Sequence, residues 1–190
     1  MTRLISRLRP LMAFAALLFV TALPAKAQFG LSGVDPAQVV TIELAARPTL
    51  ALSGTGDWDD PLKAVVASVV KLQEEVVKLG LKPVGKPIVA FVDTDDKGFR
   101  YEAMVPLTEK PEPAPAVSEG LRIATSPAGK TLRFQHRGTY EDIETTYEMI
   151  TAYLDEKGLE AQNLFVEEYL TLPRTAEEEG AQVDIYVFLK

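Results

Sequence analysis

Apolar and polar positions change period several times along this chain, and each change marks an element. Val39–Leu44 (VVTIEL) is β-rich and predicts a first strand, with Arg47–Gly54 as its continuation after a break near Pro48. From Pro61 the pattern turns helical: Leu62, Val65, Val66, Val69, Val70, Leu72, Val76, Val77 and Leu79 recur at helix spacing. The β-branched residues would suit a strand locally, but the uninterrupted length decides for a helix. Asp59 or Asp60 serves as N-cap, Pro61 fits the first turn, and Gly80 caps the C-terminus. Ile88–Asp93 and Phe99–Leu107 flank a polar turn ending in Gly98 and read as a hairpin.

The second half follows the same order. Strands at Leu121–Ala124 and Thr131–His136 are separated by a turn at Ser126–Gly129. A helix from Tyr140 or Glu141 to Lys157 places Ile143, Tyr147, Ile150, Tyr153 and Leu154 on one face, and strands at Leu164–Leu170 and Gln182–Leu189 close the chain. Between the halves, Lys110–Pro115 (KPEPAP) is a Pro-rich connector. Gly56 matches Gly138 and Trp58 matches Tyr140 at a shift of 82; Gly80 matches Gly158, Ile88 matches Val166 and Phe91 matches Tyr169 at 78. The lost four residues are about one helical turn, so the second helix is the shorter and strand register survives. One unit used twice predicts a pseudo-symmetric domain with a groove between its halves.

The first 27 residues read as a secretory signal: basic Arg3, Arg7 and Arg9, an apolar run Leu11–Leu23, then Ala25-Lys26-Ala27 as a cleavage site. The run is shorter than the ~20 residues that span a bilayer. Cleavage would start the mature chain at Gln28, with 28–38 as a tether, a periplasmic or secreted location, and no stable membrane insertion. It removes four bases and no acids, taking the net charge from -7 to -11. Such acidity argues against nucleic acid as partner, since phosphate binding needs clustered bases. With no cysteine there is no disulfide, thiolate nucleophile or Cys-based metal site.

Pro127-Ala128-Gly129, then Phe134-x-His136-x-Gly138-x-Tyr140, then Glu167-x-Tyr169-x-x-x-Pro173 resemble the GyrI-like small-molecule-binding domain, the effector-binding module of some AraC- and MerR-type bacterial regulators. The resemblance spans about Val39 to Lys190. It implies an α+β fold: duplicated βαββ units (about 47–109 and 121–190) forming one curved antiparallel sheet, with two helices on one face and a central groove. The chain departs from the regulators in lacking a DNA-binding helix-turn-helix. It also ends Tyr186-Val187-Phe188, where most members of the resembling family carry a Pro in the last strand. Control of transcription is therefore not implied.

Strand alternation puts Glu167 and Tyr169 on one face and Glu168 on the other. In the resembling family the glutamate two before the Tyr is the groove acid, here Glu167. An acid flanked by an aromatic ring is a simple receptor for a cation. Trp58 and Tyr140, at matching helix starts, read either as walls of the groove or as staples of the helix N-terminus. Tyr101 and Tyr186, on the final strands of the halves, are further candidates for its lining. Val89 and Phe91 replace Glu167 and Tyr169 in the first half, so the groove holds one acid.

His136, the chain's one histidine, lacks the partners of a metal site or a triad and reads as a half-exposed structural residue. Asp93, Asp95 and Asp96 lack the later bidentate Glu of a calcium loop and read as turn residues. No cofactor or metal is implied, and no sequence feature sets the oligomeric state. The leading expectation is an exported, non-enzymatic binding protein for an amphipathic small molecule, cationic or neutral. A hydrolase of electrophilic small molecules, with Glu167 as general base beside Tyr169, is the alternative. An envelope partner-binding module is the third.

Overall fold

The computed structural model describes residues 39–190; the segments read from sequence as a signal and a tether lie outside them. Eight strands form one antiparallel sheet: β1 (Val40–Leu44), β2 (Pro48–Asp57), β3 (Ile88–Thr94), β4 (Gly98–Pro106), β5 (Leu121–Thr125), β6 (Gly129–Gly138), β7 (Ala161–Thr171) and β8 (Ala181–Leu189). Helix α1 spans Pro61–Lys78 and α2 spans Ile143–Lys157. The strand order is β1-β6-β8-β7-β3-β4-β2-β5. The β3–β7 pair therefore lies at the centre, with one βαββ unit on each side. Both helices pack on one face of the sheet, α1 on β2 and β4 and α2 on β6.

The strand registers carry the repeat. A shift of 82 takes Thr49–Pro106 onto Thr131–Phe188, and both are paired. Shifts of 78 in β3 and 82 in β4 take Ile88–Met104 onto Val166–Tyr186, again a pair. The edges obey the same rule: Val40–Arg133 becomes Arg122–Ala51.

Those edges correct the reading of β2 as a continuation of β1. β1 leaves its own half to pair with β6, while β5 crosses the other way to pair with β2. The two crossings meet where Arg47 N–H donates to Ser126 Oγ (3.0 Å) and Ser126 N–H donates to the Arg47 carbonyl (2.8 Å). A five-residue β-rich segment fits any complementary edge, so its partner is set by where the chain can reach and not by local pattern.

The two helices differ in how they are held. Helix α1 starts at Asp60, whose carboxylate accepts the Lys63 N–H, and is followed by Gly80 at φ +62. It buries Leu62, Val65, Val69, Leu72 and Val76. Each fully buried aliphatic side chain contributes ~1.5–3 kcal/mol. Helix α2 follows a 3-10 turn at Tyr140–Asp142, where the helix itself was expected to start, and fully buries only Thr146 and Ile150. It ends on Gly158 in the left-handed conformation.

Beneath α1, Gly54 and Gly56 of β2 make room for rings from β4. A Cβ on Gly54 would lie 2.5 Å from Tyr101 Cζ, and one on Gly56 2.3 Å from Phe99 Cζ.

A tyrosine cage around a buried carboxylate

The central strands β3 and β7 form the floor between the helices. Across them Val89 pairs with Glu167 and Phe91 with Phe165. Glu167 faces the helices and is 1% exposed. Glu168, next in the strand, pairs with Ile88 and Asp184 and faces away, where its carboxylate accepts the Tyr186 hydroxyl at 2.7 Å.

Three tyrosines donate to Glu167. Tyr169, two residues on in β7, reaches Oε2 at 2.5 Å. Tyr140, from the 3-10 turn, reaches the same oxygen at 3.0 Å. Tyr147, one turn into α2, reaches Oε1 at 2.8 Å. The Tyr140 and Tyr169 hydroxyls lie 3.2 Å apart, with rings stacked at 6.1 Å between centroids. Each hydroxyl has one proton to give, so when all three go to the carboxylate that contact carries none.

Burial pushes the Glu167 carboxyl above its ordinary range, against the lowering effect of the three donors. Burial, and then the negative charge of Glu167, push the three hydroxyls far above the usual tyrosine range, so they remain donors. Among the described residues no Lys, Arg or His pairs with Glu167.

His136 fixes the geometry of the cage. It is 3% exposed, not half-exposed as expected. Its Nε2 lies 2.8 Å from the Thr139 carbonyl and its Nδ1 2.8 Å from Thr146 Oγ1. The carbonyl can only accept, so Nε2 carries the proton and Nδ1 accepts from the Thr146 hydroxyl. Burial lowers its pKa and favours this neutral form. The imidazole thus ties the end of β6 to the 3-10 turn and to α2, the two segments that bring Tyr140 and Tyr147. The Glu141 N–H adds a bond to the Ala176 carbonyl, anchoring the turn to the loop before β8.

The other sequence candidates lie elsewhere. The Tyr101 hydroxyl bonds Ser68 Oγ and the Ala64 carbonyl, both at 2.8 Å, under α1. Tyr186 is on the opposite face with Glu168. Trp58 donates from Nε1 to the Asp95 carbonyl at 2.8 Å and lays its ring on Phe99, with centroids 4.8 Å apart. The cage therefore collects Glu167, Tyr169 and Tyr140 and leaves out Tyr101, Tyr186 and Trp58. Sequence reasoning put Tyr147 on the apolar face of its helix and missed it as the third donor. The signal that could have found it was the polar hydroxyl, which a buried tyrosine must satisfy.

On this architecture the chain is an effector-type small-molecule-binding module, and it belongs to the GyrI-like small molecule binding domain family, whose model matches residues 37–190. Its fold is similar to that in the EcmrR–DNA complex (TM-score 0.62, 15% identity, 80% of this chain and 57% of that one). It is also similar to a hydrolase from Listeria innocua (TM-score 0.56, 17% identity, 80% and 91%). A third similar structure is SAV2435 bound to tetraphenylphosphonium (TM-score 0.51, 14% identity, 80% and 94%). The chain thus spans little more than half of the EcmrR chain. No curated protein sequence matches it.

Proposed function

We propose that this protein is an exported small-molecule-binding protein, holding an amphipathic cation between α1 and α2 with its charge on Glu167. The observation that carries this reading is a buried carboxylate supplied with three hydroxyl donors and no basic partner among the described residues. Burying an unpaired charge is costly, and hydroxyls spread that charge without neutralising it. A cation from outside completes the site. The family match and the cation held by the SAV2435 relative support the same chemistry. Export rests on the N-terminal pattern alone.

Glu167 and Tyr169 are each 1% exposed and Tyr140 4%, so a ligand must displace side chains to reach the carboxylate. Tyr147 is only partly buried and sits on the less deeply anchored helix, so it is the donor that yields first.

The test is calorimetric titration of residues 28–190 with tetraphenylphosphonium and with the neutral triphenylphosphine oxide. Tighter binding of the cation, lost in Glu167→Gln, supports the reading. Equal binding of the two compounds, or of wild type and variant, overturns it.

A second reading is hydrolysis with Glu167 as general base, favoured by its raised pKa and the 2.5 Å bond to Tyr169. In the closed cage the carboxylate is already occupied by three donors, so binding remains the conclusion. Mass spectrometry of bound compounds after incubation separates the two.

A further inference from the structure

Helix α1 is fastened along its flank as well as from beneath. In the connector that leads into β5, the Ser118 N–H and hydroxyl both donate to the Glu75 carboxylate at 3.0 Å. Lys71 Nζ donates to the Glu119 carbonyl at 3.5 Å, and Val117 packs against the helix-side core. Glu75 is left only 6% exposed.

The repeat assigns the matching positions in the second half. The shift of 82 that carries β1 onto β5 carries residues 28–38 onto residues 110–120. Val39 and its counterpart Leu121 both pack against the helix-side core, so the chain enters β1 from the side of the sheet that bears α2. Along the helices, the shift of 78 that matches Gly80 to Gly158 also matches Leu72 to Ile150 and Ser68 to Thr146, all four buried. It matches Lys71 to Met149 and Glu75 to Tyr153, and these two α2 side chains are only half-buried.

Helix and lead-in differ together between the halves. On α1 the receiving residues are polar, and Ser118 and Glu119 meet them with hydrogen bonds. On α2 the receiving residues are Met149 and Tyr153, and the positions matching Ser118 and Glu119 are Pro36 and Ala37. Asp35 replaces Val117, which moves the next apolar contact to Val34. Four extended residues span ~13 Å, and α2 rises ~12 Å from Met149 to Lys157, so residues 34–37 match that stretch in length.

We propose that residues 28–38 dock along the flank of α2, with Ala37 at Met149, Pro36 on the Tyr153 ring and Val34 toward the last turn. The contact is apolar where that of the first half is polar, because a proline and short aliphatic side chains gain from ring and thioether surface and have no donor for a carboxylate. It adds anchoring to the helix that carries Tyr147.

Paired thiols test the contact in a chain that has none of its own. The full chain carries Pro36→Cys with Tyr153→Cys, or Ala37→Cys with Met149→Cys; the second pair keeps the Pro36–Tyr153 contact. Ser118→Cys with Glu75→Cys, at positions whose side chains touch, gives the rate for a docked segment. Ala37→Cys with Lys71→Cys, on the other helix, gives the background. Under mild oxidation at least one α2 pair should close an intramolecular disulfide within about tenfold of the Ser118 rate and about tenfold or more above background. Closure of both α2 pairs at the background rate overturns the docking, and disulfide-linked dimers overturn it as a contact within one chain. Amide exchange gives a reading without thiols. Val34→Gly combined with Pro36→Gly should speed exchange along α2 about tenfold and leave α1 as in wild type. Unchanged protection of α2 in that variant overturns the proposal.

Discussion

The two halves share a backbone pattern and differ in what fills it. Val89 in the first half stands where the second has Glu167, Phe91 where it has Tyr169, and Trp58 where it has Tyr140. Gly54, overlaid by the Tyr101 ring, stands where the second half has His136; Phe99 and Tyr101 on β4 stand where β8 has Ala181 and Val183. In the first half large rings on the last strand lie over glycines, and α1 is seated by five buried aliphatic residues. In the second half the matching positions of the last strand, Ala181 and Val183, are small, and the freed space holds a histidine and three tyrosines around a carboxylate. A duplicated fold can thus keep one copy as an apolar scaffold while the other spends part of its packing on polar chemistry, with a more weakly anchored helix as the consequence.

The largest expected effect tests the scaffold. Leu72→Ala, in the fully buried face of α1, should cost about 2–5 kcal/mol of stability in denaturant unfolding. Next comes the cage: Glu167→Gln should cost roughly ten- to hundredfold in affinity for tetraphenylphosphonium, as expected for charge-assisted contacts worth ~1.5–3 kcal/mol. Glu168→Gln, across the sheet with Tyr186, should leave affinity within about twofold. Equal losses at the two positions would erase the distinction between the faces. A Glu167→Gln variant that binds as wild type would make the cage purely structural.

Acidification reads the same carboxylate. Its folded pKa is raised above the unfolded value near 4.5. Its contribution to stability is therefore fully present below that value and is lost as pH rises through the folded pKa. Relative to Glu167→Gln, wild type should lose stability as pH climbs through that interval. The buried His136 destabilises the fold in the other direction as pH falls from its unfolded value, but both proteins carry it, so the difference isolates Glu167. Cation affinity should rise with pH over the same interval and then level off, since only the ionised carboxylate attracts the ligand. Calorimetry across pH 4–8 checks both arms, and a cation affinity independent of pH would contradict the assignment.

Much of this contrast was legible in the sequence because it rests on local periodicity. The long Val/Leu pattern gave α1, alternation set Glu167 and Tyr169 against Glu168, and the glycine landmarks gave shifts that the strand registers also obey. What local pattern does not encode is which edge a short strand reaches, so the exchange of β1 and β5 went unread. The role of Tyr147 was hidden for a related reason. Its helical spacing is that of a core residue, and only the tertiary placement of β7 brings a carboxylate to its hydroxyl. His136 was misjudged as half-exposed because its partner Thr146 lies ten residues on, across a turn into a helix. Tyr186 lies one strand from Glu167 but on the other face, a parity that needed the register of β8.

The smallest effect separates two tyrosines that each place a hydroxyl beneath or upon a helix. Tyr101 serves the scaffold: its hydroxyl bonds Ser68 and the Ala64 carbonyl, and burial raises its pKa. Tyr147 serves the cage: its hydroxyl bonds Glu167 Oε1. Tyr→Phe removes one hydrogen-bonding group from each, a loss of about 0.5–1.5 kcal/mol in either case, but it should appear in different measurements. Tyr101→Phe should lower the unfolding midpoint and leave tetraphenylphosphonium affinity unchanged. Tyr147→Phe leaves Glu167 Oε1 without its hydroxyl donor, so its charge is less screened from the cation, and removes one bond a ligand must break on entry. Its stability should fall by a similar amount, while the association rate rises and affinity moves by no more than about tenfold. Stopped-flow binding beside thermal unfolding resolves the two. If Tyr147→Phe leaves the association rate unchanged, the donor on α2 is not on the route to Glu167, and the asymmetry between the halves lies in the fixed cage of Tyr140 and Tyr169 alone.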